Sequence, residues 1–355
     1  MRRIAADPSV DYVEVDQIMY PVLTPNDTRL SEQWGFGTSS SSINVRPAWD
    51  TATGTGVVVA VIDTGITSHP DLNANVLPGY DFISDATRAR DNNGRDSNPA
   101  DQGDWTTAGQ CGSGTSAANS SWHGTHVAGT IAAVTNNSTG VAGTAFNARI
   151  VPIRALGACG GATSDIVDAI VWASGGTVSG VPANANPAEV INMSLGGSGS
   201  CSSSYQNAIN SAVSRGTTVV VAAGNSNANV ANFTPASCAN VISVASITSA
   251  GARSSFSNYG TGIDISAPGS AILSTLNSGT TTPGSASYAS YNSTSMAAPH
   301  VAGVVALVQS VASRPLTPAA VETLLKNTAR PLPGACSGGC GAGIVNAAGA
   351  VSQTP

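Results

Sequence analysis

Runs of β-branched residues alternate with helical patterns along this chain, and that alternation restricts the fold more than any other feature. The runs are GVVVAVID (56–63), ARIVPIRAL (148–156), AEVINMSL (188–195), TTVVVAAGN (217–225) and NVISVASI (240–247). Near-continuous apolar strands are expected where helices cover both faces of a sheet. Between and after them lie HGTHVAGTIAAV (123–134), SDIVDAIVWAS (164–174), SYQNAINSAVSRG (204–216), SMAAPHVAGVVALVQSVA (295–312) and TPAAVETLLKNTA (317–329). Arg215-Gly216 suits a helix end, and Thr317-Pro318 suits an N-cap followed by N1. The expectation is an α/β fold: a doubly wound, mostly parallel sheet between two helical layers, with chemistry at the carboxyl ends of the strands.

Composition narrows the class. Hydrophobic residues make up 41% of the 355 and aromatics 5%, so Ala, Val, Ile and Leu must build the core. A net charge of −6, with Lys326 the sole lysine, offers no basic footprint for nucleic acid. No apolar run is expected to span a membrane. The six cysteines contain no C-x-x-C pair, which weakens a zinc-ribbon reading. Their even count suggests three disulfides and an oxidising compartment, with buried free thiols as the alternative. Six cysteines allow 15 connectivities; sequence order favours Cys111–Cys159, Cys201–Cys238 and Cys336–Cys340. Met1-Arg2-Arg3 runs into polar sequence rather than an apolar h-region, so a signal peptide is not expected within these residues.

Three segments carry candidate chemistry. The first long strand ends in Asp63, and a carboxylate there needs hydrogen bonds or a cation; a turn or cap is the ordinary role. His123 opens HGTHVAGT. With His126 it could instead form a metal pair, although HExxH is absent. Ser295 lies where a turn feeds a long apolar helix, ordinarily a capping position. If its hydroxyl faces a cleft, His123 could take its proton while the helix end stabilises an oxyanion.

Taken together, VIDTG with Asp63, HGTHVAGT with His123 and STSMAAPHVAG with Ser295 resemble the subtilisin family of serine proteases, in the chain order Asp, His, Ser. NMSLGG (192–197) and VVVAAGN (219–225) extend the resemblance from about Gln33 to Val345. It implies a secreted serine endopeptidase of broad specificity. Ser295 would be the nucleophile, His123 the general base, Asp63 its orienting partner and Asn225 the side-chain oxyanion donor. Ser194, Leu195 and Gly196 would form one wall of the substrate cleft, and Leu156, Gly157 and Gly160 the opposite edge. Asn232 and Phe233 are candidates for the S1 floor. One departure is Ser293, where the family usually has glycine two positions before the nucleophile.

The same resemblance implies one to three structural calcium ions. Gln33, Asp71, Asn137 and the carbonyls of Val134, Thr139 and Val141 would hold one, hard oxygen donors suiting Ca²⁺. The polar stretch from Asp81 to about Ser121 is too long for an idle connection. Within it Asp91, Asn93, Asp96, Asp101 and Asp104 suggest a second ion or a solvated acidic loop. Residues 1–24 resemble the tail of an inhibitory propeptide, with cleavage expected between about Pro21 and Asp27 and residues 25–355 forming the catalytic domain. The expected partners are protein and peptide substrates and the propeptide itself, with the enzyme a monomer. Three rivals stand beside this reading. An α/β-hydrolase esterase lacks its G-x-S-x-G elbow here. A pseudoprotease would lack a triad or oxyanion residue, and a zinc hydrolase would use His123 with His126.

Overall fold

The computed structural model describes Ser9, Val10 and residues 23–355. The expected propeptide segment therefore lies almost wholly outside the described residues.

Among the described residues eleven strands follow in chain order: β1 (Val58–Asp63), β2 (Tyr80–Asp81), β3 (Arg149–Arg154), β4 (Val190–Met193), β5 (Gly197–Ser198) and β6 (Thr218–Ala222) come first. Then come β7 (Phe233–Thr234), β8 (Ile242–Ile247), β9 (Ile265–Pro268), β10 (Ile272–Asn277) and β11 (Ala286–Tyr291). The helices are α1 (Ala86–Ala89), α2 (His123–Ala132), α3 (Thr163–Ala173), α4 (Ser203–Ser214), α5 (Thr294–Val311), α6 (Pro318–Thr328) and α7 (Ala347–Ser352). Seven strands form one parallel sheet in the order β2-β3-β1-β4-β6-β8-β9. The expected parallel sheet is thus present, and the five β-branched runs are its five central strands.

Period-two alternation explains why those strands are apolar throughout. In β1, Val59 and Val61 join the core shared with α2 and α5, whereas Ala60 and Ile62 join the core shared with α3 and α4. In β6, Val220 and Ala222 face the first layer, and Val219 and Val221 the second. The register Val59↔Ile150 and Val59↔Val190 aligns β1 with its neighbours on both sides. Strand order reverses between β1 and β4, so the carboxyl end of β1, at Asp63, sits at a topological switch point.

The short edge strand β2, the edge strand β9 and the antiparallel pair β10–β11 were not anticipated. β11 carries ASYASY, too polar and too exposed to stand out as a strand. Against expectation, one helix does have the length and hydropathy to cross a membrane: α5, Thr294–Val311. Its residues from Thr294 to Val308 are buried in the core, packed on α2 and on strands β4, β6, β8 and β9. All three disulfides follow the pairing that sequence order favoured, Cys111–Cys159, Cys201–Cys238 and Cys336–Cys340.

Candidate active site

Asp63 is the last residue of β1 and His123 the first of α2, and two glycines let these ends meet. A Cβ on Gly124 would lie 2.2 Å from the Gly65 carbonyl oxygen, and one on Gly65 would lie 2.4 Å from that of Pro99. Just before His123, Trp122 adopts left-handed backbone (φ 49°), unusual for a bulky residue. Its burial and an indole N–H donated to the Gly279 carbonyl at 2.6 Å hold it there. His123 Nδ1 consequently meets Asp63 Oδ1 at 2.7 Å, on a carboxylate that is fully buried. Asp63 Oδ1 also accepts the Thr64 N–H at 2.7 Å. Burial acts to lower the His123 pKa, but the Asp63 carboxylate, by charge and hydrogen bond, with Asp104 and Asp101 beyond it, leaves the imidazole above its ordinary value.

Ser295 lies in the first turn of α5, whose N-cap is Ser293. Its hydroxyl donates to the Ser194 carbonyl at 3.1 Å. Asn225 follows β6, and its Oδ1 accepts from Thr294 N (2.8 Å) and Thr294 Oγ1 (2.9 Å). The backbone donor fixes which end of the amide is oxygen, so Nδ2 faces the helix start, where it meets Ser293 Oγ at 2.9 Å. A cavity of about 370 Å³ opens here, lined by Ser194, Leu195, Gly196, Asn225, Phe233 and Ser295, among others. His123 lines a second cleft with Asp104, Leu156, Gly157, Cys159 and Gly160, and Ser194 borders both. Asn232 takes no part: it is exposed outside the cavity, its carbonyl accepting from Gly199 N at 2.8 Å.

His126 does not pair with His123 as a metal ligand. It is buried, its Nε2 meets the Ala289 carbonyl at 3.0 Å, and its ring stacks on Tyr291. Burial pushes its pKa down to about 3, so it is a neutral core residue.

The five residues suggested for a second ion do not converge. Asp91 pairs with Arg154 (3.0 Å), as does Asp81 (2.6 Å). Asp96 accepts from Asn93 Nδ2 at 2.7 Å. Asp104 accepts from the backbone and hydroxyl of Ser121 at 2.6 and 2.7 Å. Asp101 is buried, which pushes its pKa up to about 7, and Thr64 Oγ1 donates to it at 2.6 Å. The Thr64 hydroxyl in turn accepts Gly124 N at 3.0 Å. Through Thr64, Asp101 therefore buttresses the Asp63–His123 junction, while the other carboxylates are taken up by separate partners. Sequence spacing suggested a cage because it does not reveal which partner each carboxylate meets.

Around Asp71 the donors do gather. Asp71 is fully buried and accepts from Asn137 Nδ2 (2.7 Å), Val141 N (2.9 Å) and Tyr288 Oη (3.3 Å). Gln33 spends both amide ends on the backbone of Ala142, just as Asn137 spends its own on Asp71 and on Thr139 N. The residue overlooked in the sequence is Asp27. It is buried, its Oδ2 accepts Asn136 N at 2.9 Å, and its Oδ1 has no hydrogen-bond partner among the described residues. Burial raises the pKa of both Asp27 and Asp71, with hydrogen bonds offsetting part of the effect. Two buried carboxylates with no cationic partner among the described residues, one of them with an unpartnered oxygen, fit a hard divalent cation.

Known proteins resemble this chain over most of its length. An "Extracellular protease" of Xanthomonas campestris pv. campestris is 78% identical over 352 residues, 99% of this chain and 61% of that protein. An "Extracellular basic protease" of Dichelobacter nodosus is 48% identical over 360 residues, 99% of this chain and 60% of that protein. The chain thus spans about three fifths of the length of these relatives. Among solved structures, a protease from Pseudoalteromonas arctica superposes with a TM-score of 0.92 at 57% identity, covering 94% of this chain and 100% of that one. The profile of the subtilase family matches residues 54–343, and the chain belongs to that family.

Proposed function

We propose that this protein is a serine endopeptidase that hydrolyses protein substrates through an acyl-enzyme on Ser295. The observation that carries the reading is the 2.7 Å bond between Asp63 and His123 at a cleft that shares the Ser194 wall with Ser295 and Asn225. Asp63 holds the imidazole with Nδ1 protonated, leaving Nε2 free to accept. Ser295 gives its proton to Nε2 as Oγ bonds to the scissile carbonyl carbon. The oxyanion that develops is met by Asn225 Nδ2 and the Ser295 N–H. The intermediate collapses, the amine leaves with the proton from His123, and water releases the acyl group by the same route. A substrate strand lies between Ser194–Gly196 and Leu156–Gly160, with its P1 side chain toward Phe233. Small residues such as Ala222, Ala223 and Gly224 elsewhere in that cavity support broad specificity for larger apolar side chains.

Asp27, Asp71 and Asn137, with the carbonyls of Val134, Thr139 and Val141, would hold a calcium ion. Such an ion would tie the segment at Asp27 to the loop after α2. Residues 1–24 are read as a propeptide remnant and inhibitor, and 25–355 as the catalytic domain. Secretion is supported by the two relatives, both named as extracellular proteases, and by three disulfides, which persist in oxidising compartments. The test compares the protein with Ser295→Ala on denatured casein in calcium buffer. Cleavage by the parent alone supports the reading; equal cleavage by both, or by neither when both are folded and free of propeptide, rejects it.

A further inference from the structure

We propose that the Ser293 hydroxyl is a resident placeholder in the oxyanion hole, which the scissile carbonyl must displace before reaction. This rests on the protease reading above. Two donors converge on Ser293 Oγ: Asn225 Nδ2 at 2.9 Å and the Ser295 N–H at 3.0 Å. These are the same two donors assigned to the developing oxyanion, and the distances are those an oxyanion would require. Two oxygens cannot occupy one point, so the Ser293 side chain must turn away when a substrate carbonyl arrives.

Helix capping accounts for only half of this arrangement. A serine N-cap ordinarily accepts one backbone N–H from the first turn. Here the capped N–H belongs to the nucleophile, and the second donor comes from Asn225, which follows β6 and is held in aim by Thr294 on its Oδ1. The Ser293 backbone is extended (φ −173°, ψ 157°), a conformation that any residue adopts. Glycine is therefore not required by the backbone at this position. Its consequence in the usual family pattern is an oxyanion hole with no side chain in it, and serine reverses that consequence.

The placeholder keeps both donors satisfied and aligned in the empty enzyme, and the substrate must exchange its own oxygen for the hydroxyl. Removing the hydroxyl should favour any ligand that puts an oxygen into the hole. It should leave ligands that fill only the flanking subsites unchanged.

The experiment measures binding of a peptide aldehyde, which forms a hemiacetal with Ser295. Its control is the matching peptide in which hydrogen replaces the aldehyde group. Ser293→Gly and Ser293→Ala are expected to bind the aldehyde about three- to tenfold tighter, the scale of one net hydrogen bond. The control peptide should bind as before, and Ser293→Thr, which restores the hydroxyl, should return the aldehyde affinity toward the parent value. Unchanged or weaker aldehyde binding in both the Gly and Ala variants, in an enzyme whose parent cleaves casein through Ser295, would overturn the placeholder and leave Ser293 as a helix cap. Absence of Ser295-dependent cleavage in the parent would overturn the protease reading and the placeholder with it.

Discussion

The Ser194 hydroxyl donates to the Ser295 carbonyl at 2.8 Å, and the Ser295 hydroxyl donates back to the Ser194 carbonyl at 3.1 Å. Pro299 accounts for the first of these bonds. Lying four residues after Ser295 inside α5, it has no N–H for that carbonyl to accept, and Ser194 supplies the missing donor. The nucleophile's backbone is thereby tied to the wall of the substrate cleft. Ser194→Ala should strand a buried carbonyl and also remove the acceptor of Asn192 Nδ2. We expect a destabilisation of about 1–3 kcal/mol, read as a lower urea midpoint at unchanged m. An unchanged midpoint would mean that Ser194 does not support Ser295 in this way.

The pH profile should reflect the Asp63–His123 pair. The base must be neutral to accept the Ser295 proton, and the pair holds the His123 pKa above its ordinary value. Activity should therefore rise with pH through a midpoint above 6.5, the unperturbed histidine value. Asp63→Asn removes the charge that raises the pKa, so the midpoint of the residual activity should fall, with kcat reduced by about 10⁴. A profile flat between pH 5 and 9 would remove His123 from the role of base.

Calcium should act through Asp27 and Asp71. Chelation is expected to lower the melting temperature, by an amount equivalent to about 2.7 kcal/mol if the ion was present at a hundred times its Kd. In Asp27→Asn, which keeps the shape but loses the charge of a buried carboxylate, that sensitivity should shrink sharply. Gln33→Ala should retain most of it, since Gln33 carries no charge to be balanced by the ion and is tied to the Ala142 backbone. A chelator response lost in Gln33→Ala but kept in Asp27→Asn would reverse this ligand assignment.

Cys159 lines the cleft edge and is bonded to Cys111 in the polar stretch, across a separation of 48 residues. Replacing both cysteines by alanine should free that edge, raising KM for long peptides more than for short ones, and cost about 2–5 kcal/mol of stability. Equal KM changes for both substrate lengths would show that the bridge does not shape the extended subsites.

The sequence carried the central sheet because its strands are buried on both faces. A run such as VVVAVID has few other stable placements, and the helices between the runs declare themselves by period and caps. The edge strands β2 and β9 and the β10–β11 pair lacked that signature, being short, partly polar or half-exposed. Asp63, His123, Ser295 and Asn225 were legible because each lies within a long local motif.

What the sequence could not supply were pairings between groups distant along the chain. Asp101 and Asp104 sit in an acidic run, and only folding decides that one meets Thr64 and the other Ser121. Asp27 and Asp71 are 44 positions apart and look unremarkable singly; burial beside the same loop makes them a pair suited to a cation. Ser293 could be seen in the sequence as a departure from glycine. That its oxygen receives both Asn225 Nδ2 and Ser295 N was decided by the tertiary structure, because hydrogen bonds depend on where atoms converge in space, whereas burial patterns repeat locally along the chain.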